Sequence, residues 1–218
     1  MKLTSNQLKL LALVTMTVDH IGVQLLPQYP ILRIIGRLAF PIYAYMIAEG
    51  CAHTGNRRNY LLQMAALALL CQLVCFFAIG SLFQCILVTF TLSILLIYAY
   101  DTGSRPLILL TLLGAMFVTV TLPRLLPGTD FAVDYGFFGV LLPVAVYLGE
   151  TRPQKLLAAA LCLVLLALQF GGVQWYGLLA LLPLALYSGR RGNRRLKGLF
   201  YAYYPLHRAA IYGISLLL

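Results

Sequence analysis

Ionisable side chains stand inside the apolar runs of this chain at spacings that could support proton and acyl chemistry. Asp19 and His20 are adjacent in "VTMTVDHIGVQLL", and Arg33 and Arg37 lie four residues apart in the next run. Such groups are costly in an apolar span and usually have partners, so each is a candidate functional residue. Histidine can remove a proton near neutral pH, and arginine can stabilise negative charge at a carbonyl oxygen in a dry site.

The turn "PQYP" predicts a partner for Asp19. It joins the first two apolar runs as a hairpin, so Asp19 and His20 should lie level with Arg37. Arg33 and Arg37 share a helix face, and Gly36 between them allows a neighbouring helix to approach closely. We therefore predict an Asp19–Arg37 pair near mid-membrane, whose role is either catalytic or purely structural. Adjacent helix positions point about 100° apart, so His20 should face a different partner.

A second polar group follows the second run. Glu49 and His53 are four residues apart, and Arg57 and Arg58 follow in "HTGNRRNY". A carboxylate, an imidazole and two guanidinium groups therefore cluster at one end of this run, where the alternatives are a functional site and a local helix-end interaction.

A third histidine lies in the last run. His207 follows Pro205 in "YAYYPLH", and the proline should bend the helix and loosen its hydrogen-bond ladder. The hydroxyls of Tyr201, Tyr203 and Tyr204 are candidates to lie near this ring. His207 is thus an alternative to His20 as a proton-handling group.

The composition defines the setting of these residues. The chain has 218 residues, of which 61% are hydrophobic and 10% charged, and its mean hydropathy of +0.89 is far from soluble averages. We predict an all-α polytopic integral membrane protein with a single transmembrane domain over residues 1–218 and about nine transmembrane helices, with eight or ten as alternatives. Most of the apolar runs are close to the roughly 20 residues with which a helix crosses a bilayer. The sequence "QFGGVQW" divides residues 155–188 into two runs at a Gly-Gly turn. The runs are 8–26, 31–52, 60–79, 83–100, 106–122, 134–149, 155–170, 172–188 and 199–217.

The net charge of +10 is distributed between loops, as expected for membrane topology, and does not indicate nucleic-acid binding. In a nine-span arrangement most cations fall on one side, which predicts a cytoplasmic N-terminus and an external C-terminus. The opposite side has Arg124 as its clear loop cation and Asp130 and Asp134 as acids. The cations of the predicted cytoplasmic side are Lys2, Lys9, Arg57, Arg58, Arg105, Arg152, Lys155, Arg190, Arg191, Arg194, Arg195 and Lys197.

The five cysteines lie within or at the ends of apolar runs, without a C-x-x-C pair or a Cys/His cluster at metal-ligand spacing. We expect them to contribute to packing, and we expect no metal site.

Several motifs together resemble the TraX family, named for the F-pilin acetylation protein of conjugative plasmids. They are "TVDHIG", "RIIGRLAFPIYAYMIAEG", "HTGNRRNYLLQ", "DYGFFGVL" and "FYAYYPLH", in this order from the first run to the last. The family is associated with N-acetylation of a pilin amino terminus and looks related to membrane acyltransferases that use cytoplasmic acetyl-CoA. The resemblance therefore implies an acyltransferase-like domain in the bacterial inner membrane, acetyl-CoA as cosubstrate and a pilin subunit as acceptor, with membrane lipid around the protein.

The residues accommodate this chemistry. His20 or His207 could be the base and Arg37 or Arg33 could stabilise the oxyanion. Cytoplasmic arginines could bind the phosphates of CoA. The candidate catalytic residues are Asp19, His20, Arg37, Glu49, His53 and His207, and the candidate cofactor-binding residues are Arg33, Arg57, Arg58 and Tyr204. The alternatives are a small-solute or proton-coupled transporter, against which the chain shows no internal repeat, and a noncatalytic pilin assembly factor.

Overall fold

A computed structural model of the chain describes residues 2–192 and 197–217. Arg194 and Arg195 lie outside the described residues, and so do the side chains of Lys197 and Tyr201. Every regular element in the described ranges is helical, which confirms the all-α prediction. A π-helical segment, Phe117–Thr121, and a 3₁₀ helix, Gly172–Ala180, accompany the α-helices. The α-helices are α1 Ser5–Gln24, α2 Pro30–Gly36, α3 Ala39–His53, α4 Arg57–Ile79, α5 Ile86–Asp101, α6 Arg105–Met116, α7 Leu122–Leu125, α8 Gly136–Leu148, α9 Arg152–Phe170, α10 Leu181–Ala185 and α11 Lys197–Ser215.

Among the described residues, four helical stretches are long and apolar enough to cross a bilayer: Pro30–His53, Arg57–Ile79, Arg105–Leu125 and Arg152–Phe170. Their outer faces expose large apolar side chains, including Phe77 on α4 at 81% exposure. Water would penalise such surfaces and lipid would not, so these helices indicate a membrane protein. The count of nine spans and the cytoplasmic side of the N-terminus stay predictions.

The chain divides into two compact units, and the first comprises Met1–Met46 and Ala159–Leu218. Within it α1 packs against α2 as the predicted hairpin and also against α11. The close packing of α1 on α2 is visible at Gly22, where an added Cβ would lie 2.7 Å from Leu32 Cβ. The first helix is therefore flanked by its sequence neighbour and by the last helix.

The start of α1 is held by its own cap and by a distant segment. The side chain of Thr4 accepts a hydrogen bond from the Gln7 N–H, and Gln7 Oε1 accepts one from the Thr4 N–H at 2.8 Å, which forms a capping box. The Ser5 N–H donates to the Arg190 carbonyl at 2.8 Å, and the Asn6 N–H donates to the Arg191 carbonyl at 3.2 Å. Backbone donors that a helix start leaves unpaired are thus satisfied from residues 190–191.

A break separates α2 from α3 at Arg37 and Leu38, although the sequence predicts one continuous span over 31–52. The helical hydrogen bonds change here from the i−4 to the i−3 carbonyl: the Leu38 N–H donates to the Ile35 carbonyl at 3.3 Å. Pro41 has no N–H to donate to the carbonyl of Arg37, which explains the position of the break. The irregular turn lies beside the most polar part of the unit.

The predicted Gly-Gly turn is present between α9 and the 3₁₀ helix. Gly171 and Gly172 have φ values of 64° and 50°, a region that favours glycine. The turn ends α9 at Phe170 and leads directly into the 3₁₀ helix, where Gln174 is 5% exposed. A polar side chain is thereby carried into the interior of the first unit.

The second unit comprises Ile47–Ala158. Its helices α5, α6 and α8 meet at a core of Leu96, Ala115 and Val140. The segment before α5 is tied to the segment before α8: the Gln84 N–H donates to the Ala132 carbonyl at 2.8 Å. These contacts fix the loop between α7 and α8 against the α4–α5 connection.

Candidate functional site

The ionic cluster, defined as Asp19, Arg33 and Arg37, lies in the first unit. Arg37 Nη2 donates to both carboxylate oxygens of Asp19 at 2.9 Å, so the predicted Asp19–Arg37 pair is present. Arg33 Nη1 donates to Asp19 Oδ2, also at 2.9 Å, because the i, i+4 spacing presents both arginines to α1. The side chains of Asp19 and Arg37 are 13% and 11% exposed, whereas that of Arg33 is 34% exposed.

Gly36 makes this cluster possible. An added Cβ at Gly36 would overlap Oδ1 and Cβ of Asp19, so a larger residue would occupy the place of the carboxylate. Arg37 also reaches a residue that the sequence did not indicate, since its Nη1 donates to Gln174 Oε1 at 3.2 Å. In the sequence, the only hint of this contact is that the amide of Gln174 closely follows the Gly-Gly turn.

The cluster has an excess of positive charge, because two guanidinium groups face one carboxylate. Asp19 balances one of them, and the more exposed Arg33 head can approach a bound molecule. An excess cation in a largely buried site favours an anionic group or an oxygen on which negative charge develops during a reaction.

The histidine pair, His20 and His207, lies beside the cluster on α1 and α11. His20 Nδ1 and His207 Nε2 are 2.7 Å apart, and the two ring planes differ by only 9°. His207 is 6% exposed and its Nδ1 donates to the Tyr203 carbonyl at 2.8 Å. His20 therefore faces a different partner from Asp19, as predicted, and the two candidate bases meet each other.

Two of the three predicted tyrosines surround His207, and the side chain of the third is not described. The Tyr203 ring is nearly parallel to His207 with a centroid separation of 5.1 Å. The Tyr204 ring stands edge-on at 5.7 Å and is 8% exposed. Tyr203 also places its hydroxyl 2.9 Å from Thr17 Oγ1. Tyr204 is thus a buried side chain that packs against His207, and its role in cofactor binding stays a prediction.

Glu49 and His53 belong to the second unit. Glu49 Oε1 accepts from Lys155 Nζ at 2.6 Å, with both side chains largely buried. His53 is 71% exposed on its side chain; its Nδ1 lies 2.9 Å from the Glu49 carbonyl and 4.0 Å from Glu49 Oε2. Lys155, considered in the sequence for topology alone, is therefore the close partner of Glu49.

Arg57 and Arg58 also lie in the second unit. Arg57 Nη2 is 2.7 Å from Asp101 Oδ2, and the Tyr147 hydroxyl donates to the same oxygen at 2.8 Å. Arg58 is exposed. Asp101, at the end of α5, was missed by the sequence reasoning, although an acid that closes an apolar run was a usable signal. The cofactor-binding roles of both arginines stay predictions.

Among the described residues, no group of three or more His, Cys, Asp or Glu side chains is arranged to hold a metal ion. The cysteines in this part of the chain, from Cys51 to Cys162, are free thiols.

These features define a class: a helical membrane protein whose first helix supplies the carboxylate of an ionic cluster and one member of a histidine pair. The chain belongs to the TraX family, whose sequence model, described as TraX protein, matches residues 4–215. This match confirms the resemblance seen in the sequence motifs.

Two relatives illustrate the similarity. The chain is 28% identical over 241 residues to "Probable fimbrial assembly protein FimC, serogroup H1" of Dichelobacter nodosus, covering 97% of this chain and 96% of that protein. It is 53% identical over 38 residues to "Uncharacterized protein RP591" of Rickettsia prowazekii (strain Madrid E), covering 17% of this chain and 15% of that protein. No solved structure matches the chain.

Proposed function

We propose that this protein is an integral-membrane acetyltransferase that moves an acetyl group from cytoplasmic acetyl-CoA to an acceptor amine, the N-terminus of a conjugative pilin subunit. The observation that carries the proposal is the histidine pair beside the ionic cluster on α1. In a TraX-family chain this arrangement would offer a proton-accepting group and positive charge close together. The proposal includes a multi-pass arrangement in the bacterial inner membrane with the N-terminus in the cytoplasm.

The comparisons support a role connected with pili. Membership of the TraX family and similarity to a probable fimbrial assembly protein both suggest pilus assembly or pilin modification. A pilin subunit as the acceptor would meet the enzyme within the membrane. Acetylation of its amino terminus is the specific modification that we propose.

The transfer requires one proton acceptor and one stabiliser of negative charge. The amine nitrogen attacks the thioester carbon, and a histidine takes the proton that the nitrogen loses. The carbonyl oxygen becomes negative, and the partly exposed Arg33 would offset this charge. The carbon–sulfur bond then breaks, and the CoA thiolate takes the proton back from the histidine.

CoA would need further cationic contacts for its phosphates. Arg58 is exposed and can take this role, whereas Arg57 already contacts Asp101 while remaining half exposed. The exposed Arg190 and Arg191 of the basic segment after α10 are additional candidates. We assign Arg33, Arg57, Arg58 and Tyr204 to cofactor binding as part of the proposal.

A noncatalytic assembly factor is the second candidate, because the fimbrial relative is named for assembly. In that case the ion cluster and the histidine pair would only hold helices together. The two candidates differ in whether an acetyl group is transferred.

The test uses the purified full chain in detergent, acetyl-CoA labelled in the acetyl group, and a peptide that carries a pilin amino terminus. We expect label on the peptide amine, and none on the same peptide with a chemically blocked amine. His20→Ala should abolish transfer while the protein remains folded. Asp130→Asn, in the loop between α7 and α8, is the matched control and should transfer label normally.

The outcomes separate the candidates. Peptide binding without label transfer, equal in the wild type and His20→Ala, would identify an assembly factor. Absence of any acetyl-CoA binding would reject the acetyltransferase.

A further inference from the structure

The hydrogen bonds of the histidine pair determine where its protons lie. A backbone carbonyl can only accept a hydrogen bond, so His207 Nδ1, which is 2.8 Å from the Tyr203 carbonyl, must carry a proton. In the neutral ring the other nitrogen, Nε2, is then unprotonated and accepts. His207 is therefore held in one tautomer by its own helix.

This tautomer determines that of His20. His20 Nδ1 lies 2.7 Å from the unprotonated His207 Nε2, so it must be the donor. In a neutral His20 ring, Nε2 then carries no proton. Both rings are in the Nδ1–H form, whereas an unconstrained imidazole prefers the Nε2–H form.

Packing between α1 and α11 keeps the two rings in register. Thr17 Oγ1 donates to the Leu13 carbonyl at 2.9 Å, so the Tyr203 hydroxyl is the donor to Thr17 at 2.9 Å. This bond lies one turn from each histidine of the pair and joins the same two helices. The acceptor that faces His20 is thus fixed by α11.

We propose that His207 is a positioning residue that fixes the tautomer of His20, so that His20 Nε2 is the proton acceptor in acyl transfer. The proposal rests on the proposed transferase function and chooses between the two candidate bases. His20 is partly exposed, whereas His207 is buried. The hydrogen bond of the pair uses His20 Nδ1, so Nε2 is the nitrogen of this ring to which the proposal assigns the substrate.

The pair can hold one extra proton and must return it by the same route. When His20 Nε2 takes the amine proton, His20 becomes an imidazolium and still donates through Nδ1 to His207. If the shared proton moves across the 2.7 Å bond, the charge resides on His207, whose far nitrogen ends at a carbonyl. The Tyr203 carbonyl cannot pass the proton on, so the stored proton returns through His20 Nε2 to the leaving thiolate of CoA.

The experiment reads the tautomers directly. The chain has three histidines, so protein labelled with ¹⁵N-histidine gives few ring signals in detergent micelles, and His53→Asn identifies those of His53 by difference. Long-range proton–nitrogen correlations distinguish Nδ1–H from Nε2–H rings. In the unmodified protein at a pH where the rings are neutral, we expect both His20 and His207 in the Nδ1–H form.

Two variants at position 207 test whether the tautomer of His20 depends on His207. His207→Gln keeps an acceptor oxygen near the place of Nε2, so His20 should remain in the Nδ1–H form. His207→Phe keeps a ring but removes the acceptor, so His20 should change to a form with Nε2–H. In the transfer assay His207→Phe should lower kcat at least about tenfold with little change in KM for acetyl-CoA, and His207→Gln should recover part of it.

The results distinguish this proposal from the proposed function. An Nε2–H ring at His20 in the unmodified protein overturns the inference whatever the activity, and so does an Nδ1–H ring at His20 that persists in His207→Phe. Correct tautomers in a protein that transfers no acetyl group would uphold the proton arrangement and reject the transferase. An equal loss of kcat in His207→Gln and His207→Phe, with the tautomer kept in the former, would overturn the positioning role.

Discussion

Arg37 binds Asp19 through a single nitrogen, Nη2, that lies 2.9 Å from both carboxylate oxygens. Its other terminal nitrogen is directed to Gln174. Arg33 reaches the same carboxylate from one turn away, but its head is about three times as exposed as that of Arg37. The two arginines therefore differ in burial: Arg37 lies in the interior of the first unit, and Arg33 lies at the edge of the ionic cluster.

Substitution of these two arginines should affect stability unequally. Arg37→Gln leaves the buried Asp19 with a weaker partner and should lower the free energy of unfolding by about 3–5 kcal/mol. Arg33→Gln removes a more exposed pair and should cost about 1 kcal/mol or less. Thermal unfolding of the purified variants in detergent measures both, and equal losses would contradict the distinction.

Gly36 should not tolerate even one added methyl group. In Gly36→Ala the new Cβ would overlap the Asp19 carboxylate, so we expect a loss of about 1–3 kcal/mol from forced repacking. Gly114, in α6, is the matched control, because an added Cβ there has no atom within 4 Å. Gly114→Ala should be neutral or stabilise by up to about 1 kcal/mol through helix propensity. An unfolding midpoint of Gly36→Ala at or above that of the wild type would reject the close contact.

The Asp19–Arg37 contact could be predicted because a short turn links its two helices. Equal depth in a hairpin and the i, i+4 spacing of Arg33 and Arg37 were sufficient. The contact between His20 and His207 could not be obtained in this way. The residues are 187 positions apart, and hydrophobic periodicity does not say which face of the last helix meets the first.

Gln174 and Asp101 were missed for related reasons. Gln174 enters the interior because the Gly-Gly turn redirects the chain into a 3₁₀ helix, and its depth depends on that geometry. Asp101 closes α5 and contacts Arg57 of another helix. The apolar runs were sufficient to predict that the helices exist and roughly where they lie. The break at Arg37 could not be predicted from hydropathy, because it depends on the N–H that Pro41 lacks.

The Asp130 loop contact should make stability depend on pH. The Ser81 hydroxyl donates to Asp130 Oδ2 at 2.5 Å and the Leu82 N–H donates to Oδ1 at 2.9 Å. These bonds, the Ser81 bond first, lower the pKa of the Asp130 carboxyl below its ordinary value. A lowered pKa in the folded state stabilises the protein above the unfolded pKa, about 4, and this contribution is lost as the pH falls through the folded value.

We therefore expect Asp130→Asn to lower the unfolding midpoint slightly at pH 6–8. The difference from wild type should shrink as the pH is taken below about 4. Ser81→Ala removes the principal donor and should reproduce part of the effect. A difference that grows on acidification would show that the sign is wrong.

Glu49 and Lys155 should be energetically coupled. Their 2.6 Å contact is largely buried, so each single change to glutamine leaves a partner charge with less compensation. In a double-mutant cycle, Glu49→Gln with Lys155→Gln should lose less than the sum of the singles, by about 0.5–3 kcal/mol. The same cycle on the exposed His53 with Glu49, whose ring nitrogen and carboxylate oxygen are 4.0 Å apart, should show much weaker coupling. Additive losses for the Lys155 cycle would reject the buried pair.

The histidine pair joins a residue near the start of the chain to one near its end. During synthesis α1 emerges before α11, so His20 can meet its partner His207 only after α11 has been made. A chain that stops short of His207 would contain the residues of the ionic cluster but not the histidine pair. Under the proposed transferase function, such incomplete chains would lack the group that sets the tautomer of His20.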